Sequence, residues 1–172
     1  MSLVKAKLIA IDGGQDIEFM FNPNQLDFSR NISLEQAAGA RTEEGLNKVS
    51  FKHPNPYSLT ISNILLDTYE SGKSVLKYID KFKTAVEFSE GGEGRGKRPP
   101  IYVFTWGDQK YLRCFVKTLK YTLSMFLSDG TPVRAKVDLT LEEVDYPNTQ
   151  PNQKAPNPTA QQRQTDNRNN RK

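Results

Sequence analysis

Residues 133–143 read VRAKVDLTLEE. Val133, Ala135, Val137, Leu139 and Leu141 alternate without interruption against Arg134, Lys136, Asp138, Thr140 and Glu142. Successive strand side chains point to opposite faces, so a period of two gives one apolar face and one wet face. The stretch reads as a half-buried β-strand, and it sets the fold class as mainly β. Asp129-Gly130-Thr131-Pro132 stands in front of it and reads as a turn. Before that turn, residues 110–126 form a second long extended segment. Its apolar phase moves from Leu112, Cys114 and Val116 to Leu119, Tyr121, Leu123 and Met125. A strand that changes phase is expected to bend between two sheets or around a barrel corner.

The same reading extends toward the N-terminus. Ile101 to Trp106 is a strand closed by a Gly107-Asp108 turn. Leu3–Ile11 and Ile17–Phe21 flank Asp12-Gly13-Gly14-Gln15 and predict a hairpin, and Asn22-Pro23-Asn24 then breaks the ladder. Leu26 to Leu34 alternates again, with Arg30 interrupting the stripe. Glu35 to Asn47 is small, polar and without period, and predicts a loop of about a dozen residues, a length that often marks function. His53-Pro54-Asn55-Pro56 is another break. In Tyr57–Leu66 the apolar phase shifts from Tyr57, Leu59 and Ile61 to Ile64 and Leu66, which predicts a bulge or burial on both faces. Val75, Leu76, Ile79, Phe82 and Val86 fall at helical spacing and predict one helix near 73–87, with Ser71 or Ser74 as candidate cap. Gly91 to Pro100 predicts a surface loop. The expected fold over residues 1–146 is an antiparallel β-barrel or sandwich with one flanking α-helix.

From Pro147 the composition turns to Pro, Asn, Gln and Arg, and nothing in 147–172 can anchor a core. This extension is expected to be disordered unless bound. It also holds the net charge of +4. Lys154, Arg163, Arg168, Arg171 and Lys172 against Asp166 give that whole excess. The rest of the chain keeps 19 of the 24 basic and 19 of the 20 acidic residues and is neutral. A neutral body supplies no long-range attraction for a nucleic-acid backbone. The first residues, MSLVKAKLIAI, show no signal-peptide pattern, and no stretch reaches the roughly 18 apolar residues of a membrane helix.

Catalytic chemistry finds little to work with. One histidine, His53, and one cysteine, Cys114, make a His/Cys metal site an unfavourable reading. His53 is expected in a loop, and Cys114 is expected to pack inward as a small hydrophobe. Glu142 and Glu143 are strand neighbours on opposite faces, and Glu43-Glu44 lies in the expected loop, so neither pair reads as an acid/base dyad. Gly91 to Gly96 lacks the order of a phosphate loop and runs into Pro99-Pro100. Neither enzyme activity nor a cofactor is expected. The best reading in another class is a β-barrel that binds single-stranded nucleic acid, since Tyr111, Arg113, Phe115 and Lys117 alternate onto one face.

Four ordered blocks carry a resemblance. Phe21-Asn22-Pro23-Asn24-Gln25-Leu26, Leu65-Leu66-Asp67-Thr68-Tyr69-Glu70-Ser71-Gly72, PIYVFTWG over 100–107, and FLSDGTPVR over 126–134 running into AKVDLTLEE resemble blocks of contractile injection system tube-domain proteins. Together they span residues 3–146. The resemblance implies a tail-tube type β-barrel with a helix on its side, whose sheets combine across subunits. It implies a structural protein in the core of a phage-tail-like particle, a baseplate hub or tube adaptor joining spike hub to inner tube. The inner tube or tube-initiator protein itself is the alternative. It further implies self-association into a ring, expected to be hexameric, with the spike hub, inner-tube and other baseplate proteins as partners, and neither nucleic acid nor membrane. Assembly is expected in the bacterial cytoplasm. Many such proteins carry a LysM-like module after the tube domain; here residues 147–172 follow instead, and a contact of this basic stretch with a baseplate neighbour is the expectation. Candidate interface residues are Phe21, Asn22, Pro23, Trp106, Phe126, Asp129, Gly130, Thr131, Pro132 and Arg134, together with the Glu35–Asn47 loop.

Overall fold

Nine strands and one α-helix make up the described part of this computed structural model. Residues 3–12, 14–41, 43, 47–88 and 98–145 are described, with the backbone alone for 36–41, 47–49 and 51. In chain order the elements are β1 (Ala6–Ala10), β2 (Ile17–Glu18), β3 (Asp27–Ser29), β4 (Ile32–Arg41), β5 (Asn47–Pro54), β6 (Ser58–Asp67), α1 (Leu76–Val86), β7 (Tyr102–Trp106), β8 (Gln109–Phe126) and β9 (Pro132–Glu143). Seven strands form one sheet in the order β2-β1-β7-β8-β9-β6-β3, with every ladder antiparallel. The expected mainly-β fold with a single helix is the fold observed, and its sheet curls as a half-barrel. The curl is strong enough for Phe28 of β3 to stack on Tyr111 of β8, three strands away, at 6.3 Å between centroids.

The concave face of that curl is the core. β9 gives it Val133, Ala135, Val137, Leu139 and Leu141, all buried, as the alternation requires. β6 gives it Leu59, Ile61, Ile64 and Leu66, all buried on the same side although their spacing changes. The cause is a bulge: the β6–β9 register shifts between Ile61 and Ile64, and Asn63 sits in left-handed backbone at φ 57°. Asn is tolerated there, and Asp138 Oδ1 accepts its N–H at 2.7 Å. β8 bulges likewise between Val116 and Thr118. Before that point Leu112, Cys114 and Val116 are buried; beyond it Leu119, Leu123 and Met125 are half-buried.

Helix α1 covers one side of the core with Ile79, Phe82 and Ala85. Leu76, expected on this face, is 38 % exposed, and Val75 in front of the helix is buried instead. Neither Ser71 nor Ser74 occupies the cap position, which falls to Val75. Ser74 Oγ still accepts the Leu76 N–H at 3.3 Å.

Three further expectations are corrected. The Glu35–Asn47 segment is not simply a loop: β4 runs to Arg41, β5 starts at Asn47, and the two form a separate hairpin arm. Ile32 and Leu34 at its base are 58 % and 51 % exposed. Glu35 to Asn47 shows no alternation, which is why the strands there were not legible. The Leu26–Leu34 run is two strands, divided where Arg30 donates to the Asn55 carbonyl at 2.8 Å and lies over the Tyr57 ring at 4.5 Å. His53, expected in a loop, pairs with Ser33 inside β5.

Cys114 is fully buried, and burial pushes its thiol up to about 12. It is expected to resist a thiol reagent at pH 8 in the native protein and to react completely in denaturant, because the thiolate is the reactive form. Rapid native labelling would contradict its place in the core.

Candidate assembly interface

The four sequence blocks lie in two regions of the fold, and much of each is used internally. In the first block, Asn22 acts as a substitute strand partner for β1. Its Oδ1 accepts the Ala6 N–H at 2.9 Å, and its Nδ2 donates to the Val4 carbonyl at 2.8 Å. Pro23 is buried. Phe21 is the block's outward group, 46 % exposed, with the Lys5 ammonium 5.6 Å from its ring centre. Lys5 itself donates to the Met20 carbonyl. Two residues thus fix a clip that holds an aromatic ring at the surface.

The second block turns β6 into the helix. Thr68, buried, ties the turn together: its N–H donates to the Val133 carbonyl at 2.8 Å, its hydroxyl donates to the Lys73 carbonyl at 2.6 Å, and its own carbonyl accepts the Ser71 hydroxyl at 2.9 Å. A 3-10 turn over Tyr69–Ser71 follows, ended by Gly72 at φ 61°. Asp67 pairs with Arg134, Nε to Oδ2 at 2.8 Å, and its other oxygen accepts the Tyr69 N–H at 3.0 Å. These bonds, the backbone one first and Arg134 second, hold the Asp67 carboxyl below its ordinary value. A carboxyl depressed on folding adds stability above its unfolded value near 3.8 and loses it as pH falls through the folded one. Asp67→Asn is therefore expected to flatten the acid limb of a stability–pH curve below about pH 4, read by thermal melts from pH 2 to 7. An unchanged acid limb would show that the pair adds nothing.

The third block is core. Trp106 is half-buried and packs against the central cluster at the end of β7. The fourth block makes the β8–β9 turn. Asp129 Oδ1 accepts the Thr131 N–H at 2.9 Å, Gly130 takes φ 84°, and Leu127 N–H reaches the Thr131 carbonyl at 2.9 Å. The Pro132 carbonyl accepts the Val75 N–H at 2.8 Å, which ties the turn to the start of α1. Phe126, beside the turn, is 55 % exposed.

The structure brings Phe21 and Arg134 to one surface, a notch they line with Tyr69 and Tyr78. It does not bring Trp106 there. Tyr69 and Tyr78, 51 % and 41 % exposed, escaped the sequence reading, although Tyr69 stands inside a block already singled out. The aromatic and basic row Tyr111, Arg113, Phe115, Lys117 is broken up. A register shift beside Tyr111 places its ring against Phe104 at 5.8 Å and Phe28, and Lys117 pairs with Glu142. Among the described residues no group of three His, Cys, Asp or Glu is placed to hold a metal, and no helix is long and apolar enough to cross a membrane.

The most consequential surface is made of backbone. β7 pairs with β8 only from Gln109 to Cys114, so Phe115–Phe126 has no strand on that side among the described residues. β3 pairs with β6 only at Ser58–Thr60, which leaves Ile61–Leu66 in the same condition. Unpaired edges carry rows of unsatisfied donors and acceptors and are templates for another chain.

No curated protein matches the chain. The family described as contractile injection system tube protein matches residues 3–152, a span that takes in every described residue. The four blocks, the mainly-β sheet with one helix and this match agree, and the chain belongs to the contractile injection system tube protein family, with a structural, tube-related role in such a particle.

Proposed function

We propose that this protein is a non-enzymatic adaptor that forms a ring between the spike hub and the inner tube of a contractile injection particle. The observation that carries the reading is the unpaired edge of β8. Every second residue of Phe115 to Phe126 turns its N–H and C=O to that side, where no strand takes them among the described residues, beside Tyr121 and Phe126, 39 % and 55 % exposed. A long exposed edge of this kind aggregates unless a copy or a partner covers it. A closed ring of copies satisfies it without leaving a terminal edge. Six copies, assembled in the bacterial cytoplasm, is the arrangement we put forward. Phe21, Phe126 and the Asp129–Pro132 turn present the side chains for the neighbouring layers. The basic residues of 147–172 reach an acidic surface of an outer baseplate protein.

A second reading, that the chain is the inner tube or its initiator, is favoured by the tube description of the matching family. Copy number separates the two. Quantitative mass spectrometry of purified particles is expected to give the copies of one ring, with the ring located beside the spike in a particle map. Many rings' worth of copies along the shaft would make it the tube. A monomer absent from particles would sink both.

A further inference from the structure

We infer that the groove beside α1 docks an acidic segment of another protein, with carboxylates on Lys77 and Lys81 and an apolar side chain seated against Tyr78. The site goes beyond the ring reading and does not need it, because one copy carries the whole groove. The groove runs between α1 and the clip. It consists of two open depressions of about 450 Å³ and 410 Å³, and Met20 and Tyr78 line both. Phe19, Leu66 and Phe82, all buried, form the base of the first. Tyr78 stands exposed between the two, and Phe21 and Tyr69 stand exposed beside the second. Half-exposed aromatic rings around an apolar floor are the kind of surface that interfaces favour.

Most charges that line the groove are engaged within the chain. Lys7 pairs with Glu18 at 2.9 Å, and Arg134 Nε donates to Asp67 Oδ2 at 2.8 Å. Lys5 donates to the Met20 carbonyl, and Asp16 Oδ1 accepts the Ala10 N–H at 2.8 Å. Lys81 remains beside the first depression and Glu70 beside the second. Helix α1 makes the Lys81 end basic. Its sequence, LKYIDKFKTAV, sets Lys77, Lys81 and Lys83 against Asp80 alone, and Lys83 takes Asp80 at 3.0 Å. Lys77 and Lys81 are exposed and have no ion partner among the described residues, and the same holds for Lys73 just ahead of the helix. Lys77 and Lys81 lie one turn apart on one side of α1, a spacing at which like charges repel. Carboxylates laid beside them relieve that repulsion.

Charge and shape together select the occupant. The basic stretch 147–172 of this chain is repelled by Lys77 and Lys81. A nucleic-acid backbone carries a charge at every step and would lay phosphates against Glu70 and Asp16 as well. A peptide places its carboxylates only where the lysines stand. Its neighbouring side chain stays neutral and covers Tyr78, Met20 and Phe21, which gain apolar contact. The rings give such a complex its affinity and the lysines its register and rate of encounter. Phe21→Asp removes a ring and sets a carboxylate in the path of the acidic segment, so the same groove accounts for an outward aromatic at that position.

The test uses the full chain and a fluorescein-labelled synthetic peptide in which Glu alternates with Phe and Leu, read by fluorescence anisotropy. The peptide is expected to bind, and versions with Gln for Glu or Ala for Phe and Leu are expected to bind about tenfold more weakly. Lys77→Glu with Lys81→Glu is expected to weaken binding about tenfold at an unchanged unfolding midpoint, because both positions are exposed. The same charge change made elsewhere, Lys52→Glu with Lys110→Glu, is expected to leave binding within about twofold. An equal loss in that control shows attraction by net charge alone and overturns the site. A single-stranded oligonucleotide that binds through Lys77 and Lys81 more tightly than the peptide overturns it too. Failure of the peptide to bind, with rings still seen by electron microscopy, overturns the site and leaves the assembly reading standing. Peptide binding without rings does the reverse. As a second measure, zero-length carbodiimide coupling in purified particles is expected to join Lys77 or Lys81 to an Asp or Glu flanked by apolar residues in another protein. Coupling to a second copy of this chain instead overturns the inference.

Discussion

Phe19→Ala is expected to lower the unfolding free energy by about 3–5 kcal/mol, the usual cost of deleting a buried aromatic ring. Phe19 is fully buried just beyond β2. Its ring lies 6.1 Å from Phe82 of α1 and 5.9 Å from Phe104 of β7, so one side chain joins helix to sheet. Neither neighbour is free to move into the gap. Phe104 is fixed by pairing with Leu8 and Leu112, and Phe82 by a helix whose Ile79 and Ala85 are buried on the same face. The position is pinned as well, because the Phe19 N–H bonds the Ala6 carbonyl at 3.0 Å. A cavity that cannot collapse loses dispersion contacts as well as transfer energy. Domains of this size are stable by about 5–15 kcal/mol, so the loss is a large share of the total. Urea titration is the measurement, with the midpoint falling and the slope constant. A change below about 1 kcal/mol would show that α1 is not held through this ring.

The sequence was most readable where one face of a strand is dry and the other wet. β9 satisfies that condition along its whole length, so Val133 to Leu141 announced both the strand and its buried face. β6 and β8 satisfied it in two halves, and their changes of phase marked bulges that keep the same face toward the core. The rule failed where no core lies behind the chain. β3 is exposed throughout, and so are Ile32 and Leu34 at the start of β4. Leu76 failed for a different reason: Val75, one residue ahead of the helix, takes the core position, and its immediate neighbour Leu76 turns outward.

The candidate interface was legible in part for a different reason. A recognisable block marks residues that matter without saying whether they hold the fold or meet a partner. Asp129, Thr131, Pro132 and Arg134 all make bonds within the chain, whereas Phe21 and Phe126 present large apolar surface outward. The unpaired edges of β6 and β8 carried no signal of their own, because edge status depends on where the neighbouring strands stop, and a strand's own residues do not record that.

Asn22 tests the division between holding and meeting most directly. Asn22→Ala is expected to cost about 1–3 kcal/mol, the penalty for leaving a buried polar group unpaired. The two bonds it removes are unequal. Ala6 is fully buried, so its N–H has no water to turn to, whereas Val4 is 53 % exposed and its carbonyl can be hydrated. The loss therefore falls on the acceptor side of the amide. Asn22→Asp keeps an oxygen for the Ala6 N–H and gives up only the donor to Val4, so it is expected to stay within about 1 kcal/mol of the parent. Hydrogen exchange reads the same distinction at one amide: protection of Ala6 collapses in Asn22→Ala and survives in Asn22→Asp. For an Asn22 that served a partner instead, the pattern inverts, with assembly lost and both melting temperature and Ala6 protection intact. Phe21→Asp is expected to give that inverted pattern. Adjacent residues of one motif then separate cleanly, Asn22 acting on the fold and Phe21 on assembly. Loss of stability in Phe21→Asp with full stability in Asn22→Ala would reverse the assignment.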